Sequence, residues 1–481
     1  MDKIRKIRLL PAECAVDLGD GSERGPYVSQ EYILNKLHRP HRAISLMYCY
    51  YPLDDTWPKR AQDAYADKEV KFAWDYPYDN YFPYLGGLNG RTDSEPFTCM
   101  RDIRRHGQEV ILTLTCDPNI GDEHIIAIAN DLKPFGRIML RMNHECTGSW
   151  FSFNKRATYQ QIADFFVRFK KIMAEHAPNV RMILCAGAVM NAEKPELEME
   201  KEFHEAGNVA DIWSIDRYIA LNWGWPYEVA EKDNNQHKLE DTEFNYTLTK
   251  LTYKRYCELY GVKKPFVMSE MNADGDVTGP FKQADIMKDF YMMIKNDPER
   301  WVSAVTLYQF RDDGRLGLEF TDPEDPNIGI EWPLMDTYRE IINDQFYCPK
   351  IENGEFVDEK ERPIKLRWGS SEDAEGIAIE LDMENNPVFA ELNFNEELTD
   401  ANLMIEINGY WFHKAPGAKF VDLMPAFYKK KLDGPCKMNL NIFAPPASGE
   451  NDPEQGEDWT ENYYYELKAL PDIRLRFEPV Q

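Results

Sequence analysis

Arg137-Ile138-Met139-Leu140, running on into Arg141-Met142-Asn143-His144-Glu145-Cys146-Thr147-Gly148-Ser149-Trp150-Phe151, reads as a short buried strand that follows Gly136 and empties into a loop. Reactive side chains therefore sit at a strand's C-terminal end. With a period of two, Arg141, Asn143 and Glu145 project from one face, so a cation and a carboxyl point into the same space. Beside Trp150 and Phe151 that carboxyl is partly desolvated, which raises its pKa toward neutrality and suits a general acid. An Arg–Glu ion pair closing a layer of barrel side chains would leave the same trace.

Outward from this strand, the chain alternates strand and helix. Apolar runs at Ala43–Tyr50, Val70–Asp75, Val110–Thr115, Arg181–Ala186, Ala210–Asp216, Pro265–Glu270 and Val302–Tyr308 read as the other strands. Helical spacing falls between them. Thr158-Tyr159-Gln160-Gln161 fits a capping box ahead of Ile162, Phe165, Phe166, Phe169, Ile172 and Met173, and Gly261 is placed to end a helix over 243–260. Eight strands and their helices predict a (β/α)8 TIM barrel, whose active site lies at the C-terminal strand ends. Residues 1 to about 40 show no clear period and read as a lead-in to a catalytic domain spanning 1–347. From 348 to 481, short strands with Gly, Pro and Asn between them predict a smaller all-β sandwich, with Pro445–Glu461 as a surface loop.

Composition narrows the function. The net charge is −27, which repels nucleic-acid backbones and anionic lipid, so a neutral partner is expected. No apolar run reaches membrane-span length, and the basic start Met1-Asp2-Lys3-Ile4-Arg5 has no apolar stretch behind it. Nine scattered cysteines make no metal-finger spacing and suit a reducing, cytoplasmic setting, although a secreted chain stripped of its leader would read identically. No phosphate-binding loop, dinucleotide fingerprint or zincin helix occurs, so no cofactor and no metal are expected. Acidic loops at Arg311–Gly314 and Asp322–Asp325 lack EF-hand spacing and read as solvated turns.

The pattern Arg141-x-x-His144-Glu145-x-x-Gly148-x-Trp150-Phe151 resembles the acid/base strand of glycoside hydrolase family 26, the β-mannanase family of clan A. A second carboxyl is then required, and Met268-Ser269-Glu270-Met271-Asn272 offers Glu270 at the end of the next-to-last strand. The resemblance implies Glu145 as acid/base and Glu270 as nucleophile, with Tyr218 hydrogen-bonded to the nucleophile. It gives Arg141, His144 and Asp216 supporting roles; an Asp paired with a nearby Arg is the plain structural reading of Asp216.

Flat aromatic rings complement the apolar faces of sugars. Trp150, Trp74 with Asp75, Trp223, Trp225 and Tyr308 are accordingly the expected substrate-binding residues. So many aromatic loops predict an endo-acting enzyme on a polysaccharide or oligosaccharide. Where the family carries Trp-His after the third strand this chain has Thr115-Cys116-Asp117, and Tyr308 stands where the family usually offers a Trp. β-Mannan, β-1,3-xylan and mixed-linkage β-glucan all fit. The alternatives are a non-catalytic carbohydrate-binding protein and a glycosidase of an unusual algal or sulfated glycan.

Overall fold

The computed structural model describes residues 3–21, 26–57, 82–220, 241–312, 316–325, 327–358, 362–369, 374–428, 430–451 and 463–478. The chain opens with β1 (Ile4–Leu10), which joins a distant sheet, and β2 (Ala15–Gly19), where the barrel begins. β3 (Ala43–Tyr50) pairs with β2 and carries at its end the two-residue β4 (Phe82–Pro83). β5 (Glu109–Cys116), β6 (Ile138–Met142), β7 (Val180–Cys185), β8 (Ile212–Ile219), β9 (Phe266–Ala273) and β10 (Ala304–Leu307) follow, all parallel. β10 returns to β2, and the sheet closes.

The expected strand at Val70–Asp75 lies outside the described residues. The eighth place in the barrel belongs instead to β2, within the stretch read as an aperiodic lead-in. Its Ala-Val-Asp-Leu-Gly is short and has a carboxylate at its centre, which masks the apolar pattern. Asp17 is tolerated there because it is ion-paired with Arg42, whose Nε donates to Oδ1 over 2.9 Å.

Alternation along the strands divides the interior into levels. Ala15, Ala43, Ile111, Met139, Ile183, Ile212, Val267 and Ala304, one from each strand, form an apolar floor separate from the larger core under the helices. Two residues further along most strands the inward positions are polar and buried: Asp17, Ser45, Thr113, Arg141, Ser214, Ser269 and Thr306. Buried polar groups need partners, so this level has to be a hydrogen-bonded network. It supports the mouth above.

The helices behave as their spacing predicts. Helix Tyr159–His176 has the full reciprocal capping box of Thr158 and Gln161 and buries Ile162, Phe165, Phe166, Phe169 and Met173. Truncating Phe169 to Ala would cost roughly 3–5 kcal/mol. Helix Thr242–Tyr260 starts on Asp241, whose side chain accepts from Phe244 N, and ends at Gly261 with φ 65°. Among the described residues no helix is long and apolar enough to cross a membrane.

Past residue 348 the chain forms the expected sandwich. Its larger sheet runs Lys350–Phe356, β1, Ala374–Met383, Cys436–Phe443, Leu403–Ile407, Tyr410–Lys414, with Ile364–Trp368 and Tyr463–Leu467 pairing beside that path. A three-stranded sheet of Phe420–Asp422, Pro387–Asn393 and Asp472–Phe477 faces it across a core that includes Ile377, Leu392, Ile405, Leu423 and Leu440. Barrel and sandwich meet where Leu34 of helix Gln30–Leu37 packs with Ile7, Leu9, Trp368, Met404 and Phe443. Polar ties support that contact: Trp411 N donates to His38 O (2.9 Å) and Asn402 Nδ2 to Arg105 O (2.7 Å).

Candidate active site

The signature strand carries Arg141 inward, as its alternation requires. Past Met142 the alternation fails, because Asn143 and Glu145 take φ of 46° and 49°, in the left-handed region that residues other than glycine seldom occupy. Glu145 therefore reaches the mouth from a turn and not from an extended face. Side-chain and backbone bonds hold that turn. Asn143 Oδ1 accepts from Cys116 N (2.6 Å), its Nδ2 donates to Cys116 O (3.3 Å), and Cys146 N donates to Cys185 O (3.2 Å), tying the turn to both neighbouring strands. A left-handed Glu costs on the order of 1 kcal/mol, which these anchors offset.

Arg141 is the hub. Its Nε donates to Thr113 Oγ1 (2.7 Å), its Nη1 to both Asp216 oxygens (2.8 and 3.0 Å) and its Nη2 to Glu270 Oε1 (2.5 Å). Every face of the guanidinium fork is directed, which fixes the ring of groups around it. A register shift makes this possible. Ile215 opposes Met268 but Asp216 opposes Glu270, so Ser269 is an extra residue and consecutive side chains of β9 both reach the interior. Ser269 Oγ donates to Asp216 Oδ1 (2.6 Å), while Glu270 Oε2 accepts from Tyr218 Oη (2.5 Å).

Two carboxyl groups, Asp216 and Glu270, thus share one guanidinium, and a third, Glu145, stands nearby. Burial opposes the charge on Arg141, yet Asp216 and Glu270 outweigh it and hold the cation firmly protonated. Burial, with the negative Asp216 alongside, pushes Glu270 up to about 7, against the downward pull of Arg141 and Tyr218. Glu145 rises well above the usual carboxyl range through burial and the charges of Asp216 and Glu270. Glu145 lacks any direct bond to the guanidinium; its Oε2 accepts from Trp150 Nε1 (3.2 Å) instead. Both carboxyls are raised, Glu145 further than Glu270, so Glu270 ionises first and Glu145 keeps its proton longer.

His144 Nε2 lies 3.9 Å from Glu270 Oε1, and its ring packs on Phe151 with centroids 4.6 Å apart. Burial, then the charge of Arg141, lowers its pKa well below the ordinary imidazole value, so it is neutral. Trp150 is 40% exposed at the mouth, placed to meet a ligand while holding Glu145. Tyr308 stands edge-on to Tyr218 at 5.7 Å and completes the wall above β10. Trp74, Asp75, Trp223 and Trp225 fall outside the described residues. The structure therefore brings together Arg141, His144, Glu145, Asp216, Tyr218, Glu270, Trp150 and Tyr308.

Sequence reasoning overlooked Thr113 and Ser269, and it placed Asn143 on the face of Arg141 where the structure has it anchoring the turn to Cys116. Thr113 was legible, since it alternates inward on an apolar strand and sits opposite Arg141 on the neighbouring one; the extra residue at Ser269 was not. His144, Asp216 and Glu270 bring ligand atoms within 4.8 Å of one another, as a metal site would. The Arg141 guanidinium already occupies both Asp216 oxygens and one of Glu270, and a second cation there would face a fixed positive charge.

No family model matches this chain, and no curated protein matches it. Among solved structures it is similar to a family 26 β-mannanase from Bacteroides ovatus, at 11% identity over 70% of this chain and 90% of that one, with a TM-score of 0.41. A modular endo-β-1,4-mannanase from Cellulomonas fimi matches at 9% over 89% and 93%, with a TM-score of 0.42. A family 51 α-L-arabinofuranosidase from Bifidobacterium longum matches at 9% over 92% and 100%, with a TM-score of 0.43. Overlaps of this size say nothing about activity, and the barrel rests on its own strand order.

Proposed function

We propose that this protein is a retaining glycoside hydrolase that cleaves a neutral β-linked polysaccharide with Glu270 as nucleophile and Glu145 as acid/base. The observation that carries the reading is the asymmetry around Arg141: one glutamate is bonded to the guanidinium and to a tyrosine hydroxyl, and the other is bonded to neither. Glu145 donates its proton to the glycosidic oxygen as the leaving chain departs. Glu270 attacks the anomeric carbon, forming a glycosyl ester that water then hydrolyses, with Glu145 now taking the water's proton. Arg141 and Tyr218 orient the attacking carboxylate, and Asp216, held by Ser269, keeps the guanidinium aligned. Trp150 and Tyr308 supply flat surface for the sugars flanking the bond.

β-Mannan, β-1,3-xylan and mixed-linkage β-glucan are the substrates this reading favours, with cleavage inside the chain. The test is incubation with each of these and with algal polysaccharides, reading product size and anomeric configuration by NMR. Oligosaccharides released first as β-anomers support the two-glutamate reaction. Products released first as α-anomers would overturn it. Uncleaved oligosaccharide retained on the protein after long incubation would replace it with a carbohydrate-binding role on the same barrel.

A further inference from the structure

Far from the mouth, a second convergence of histidines and a carboxylate lies where barrel and sandwich meet. Glu31 comes from helix Gln30–Leu37, His106 from the end of helix Phe97–Arg105, and His413 from strand Tyr410–Lys414 of the sandwich. Glu31 Oε2 is 3.3 Å from His106 Nε2 and 3.1 Å from His413 Nδ1. All three ligand atoms lie within 4.8 Å of one another, and the imidazole centroids are 3.9 Å apart. Both His side chains are 3% exposed, whereas Glu31 is 53% exposed and opens the cluster to water.

The neighbours decide where the ring protons are. His106 Nδ1 lies 2.8 Å from the backbone oxygen of Asp102, which can only accept, so Nδ1 carries the hydrogen and Nε2 presents a lone pair. The Asp102 carboxylate, 3.4 Å from the same nitrogen, is itself held by Gln30 N and Tyr27 Oη at 2.9 Å each. Asn402 donates through Nδ2 to Arg105 O (2.7 Å) and Pro445 O (3.3 Å), which leaves Oδ1 facing His413 Nε2 at 2.9 Å. That nitrogen is therefore the donor, and His413 Nδ1 presents a lone pair as well. Two imidazole lone pairs thus converge on one carboxylate oxygen, an arrangement that repels unless a metal cation or an added ring proton sits among them.

We propose that Glu31, His106 and His413 bind a divalent transition metal of the zinc type that clasps the sandwich to the barrel. Two imidazole nitrogens and one carboxylate oxygen form a donor set that zinc takes. Bonds of about 2.0–2.1 Å in a tetrahedral shell separate ligand atoms by about 3.3–3.4 Å, close to both Glu31 distances. The far ring nitrogens already donate to a backbone carbonyl and an amide oxygen, as the outer partners of metal-bound histidines do. The remaining position faces solvent past Glu31 and would hold water.

The test uses the full-length protein stripped with chelator, dialysed, and titrated with ZnCl2. Bound metal is read by mass spectrometry and calorimetry, and the thermal midpoint is followed with and without zinc. One zinc per chain is expected, with a rise in midpoint. Glu31→Gln and His413→Gln should each weaken binding by more than the roughly 10- to 100-fold that loss of an outer partner costs. Glu31→Gln changes an exposed side chain and keeps the fold. Glu270→Ala should bind zinc as the parent does, which separates this site from the mouth and from the fate of the glycosidase reading. No zinc above background, or zinc that survives both ligand variants, overturns the proposal. A metal-free protein whose stability falls as pH rises through the imidazole range would replace it with a paired-imidazolium latch.

Discussion

Among the described residues two clusters each gather histidine and carboxylate within 4.8 Å, and they differ in who supplies the positive charge. At the barrel mouth, Arg141 projects from β6 across the interior and spends its fork on Asp216 of β8 and Glu270 of β9. At the barrel–sandwich junction no arginine or lysine bonds to Glu31, His106 or His413 among the described residues, and the ring protons point away from the centre. The first cluster is charge-compensated by the protein. The second is compensated by nothing in its immediate bonding. The same residue types therefore favour acid–base chemistry in one place and an ion in the other.

The largest effect should come from removing the carboxylate that the built-in cation serves. Glu270→Ala is expected to reduce glycan turnover by on the order of 10^4-fold or more, read as reducing-end release. Glu145→Ala should cost about 10^2- to 10^4-fold on polysaccharide but little on aryl glycosides whose leaving group needs no proton. Equal losses on both substrates would remove Glu145 from the acid's role. Arg141→Met breaks the comparison at its root by leaving Asp216 and Glu270 buried without their cation, and should cost roughly 3–5 kcal/mol in denaturant unfolding. Zinc should restore part of that loss, because the mouth would then match the junction.

The pH dependence sharpens the same contrast. Glu270 is raised from 4.5 in the open chain to about 7 in the fold, so the native state binds the extra proton between those values. Its contribution to stability is full below pH 4.5 and is lost as pH rises through about 7. Glu270→Gln should flatten that slope in chemical denaturation across the interval. In activity the sign reverses: kcat/KM should climb as Glu270 ionises near 7 and fall at higher pH when Glu145 loses its proton. The smallest change is expected from Trp150→Ala, which removes a sugar platform and the donor to Glu145. A rise in KM of roughly tenfold, about 1.4 kcal/mol, is anticipated from substrate-saturation kinetics.

Much of this was legible because barrels advertise themselves. Seven of the eight strands stand in the sequence as apolar runs between amphipathic helices, and the signature residues lie at one strand's end. β2 escaped because five residues around a central Asp17 carry too little pattern, and only the fold shows Arg42 neutralising it. The alternation invoked for Glu145 did not hold, because its left-handed backbone removes it from the extended face, and only the motif pointed to it. The register shift at Ser269 lies in hydrogen-bond pairing, which no single strand reveals. The junction cluster was beyond reading, since Glu31 and His413 are 382 positions apart.

The place of β1 sets an order of events. Arg5 pairs with Phe356 and Ile4 with Ile379, so β1 precedes the barrel in the chain while its pairing partners follow it. Until the barrel has been synthesised, that strand's backbone donors and acceptors have no ladder to join, a state open to pairing with other chains. Its alternate charges, Arg5 and Arg8 among Ile4, Ile7 and Leu9, are the kind of guard such a wait requires. The sandwich is thus split around the barrel in sequence, and it closes only once the segments on both sides of the barrel have met.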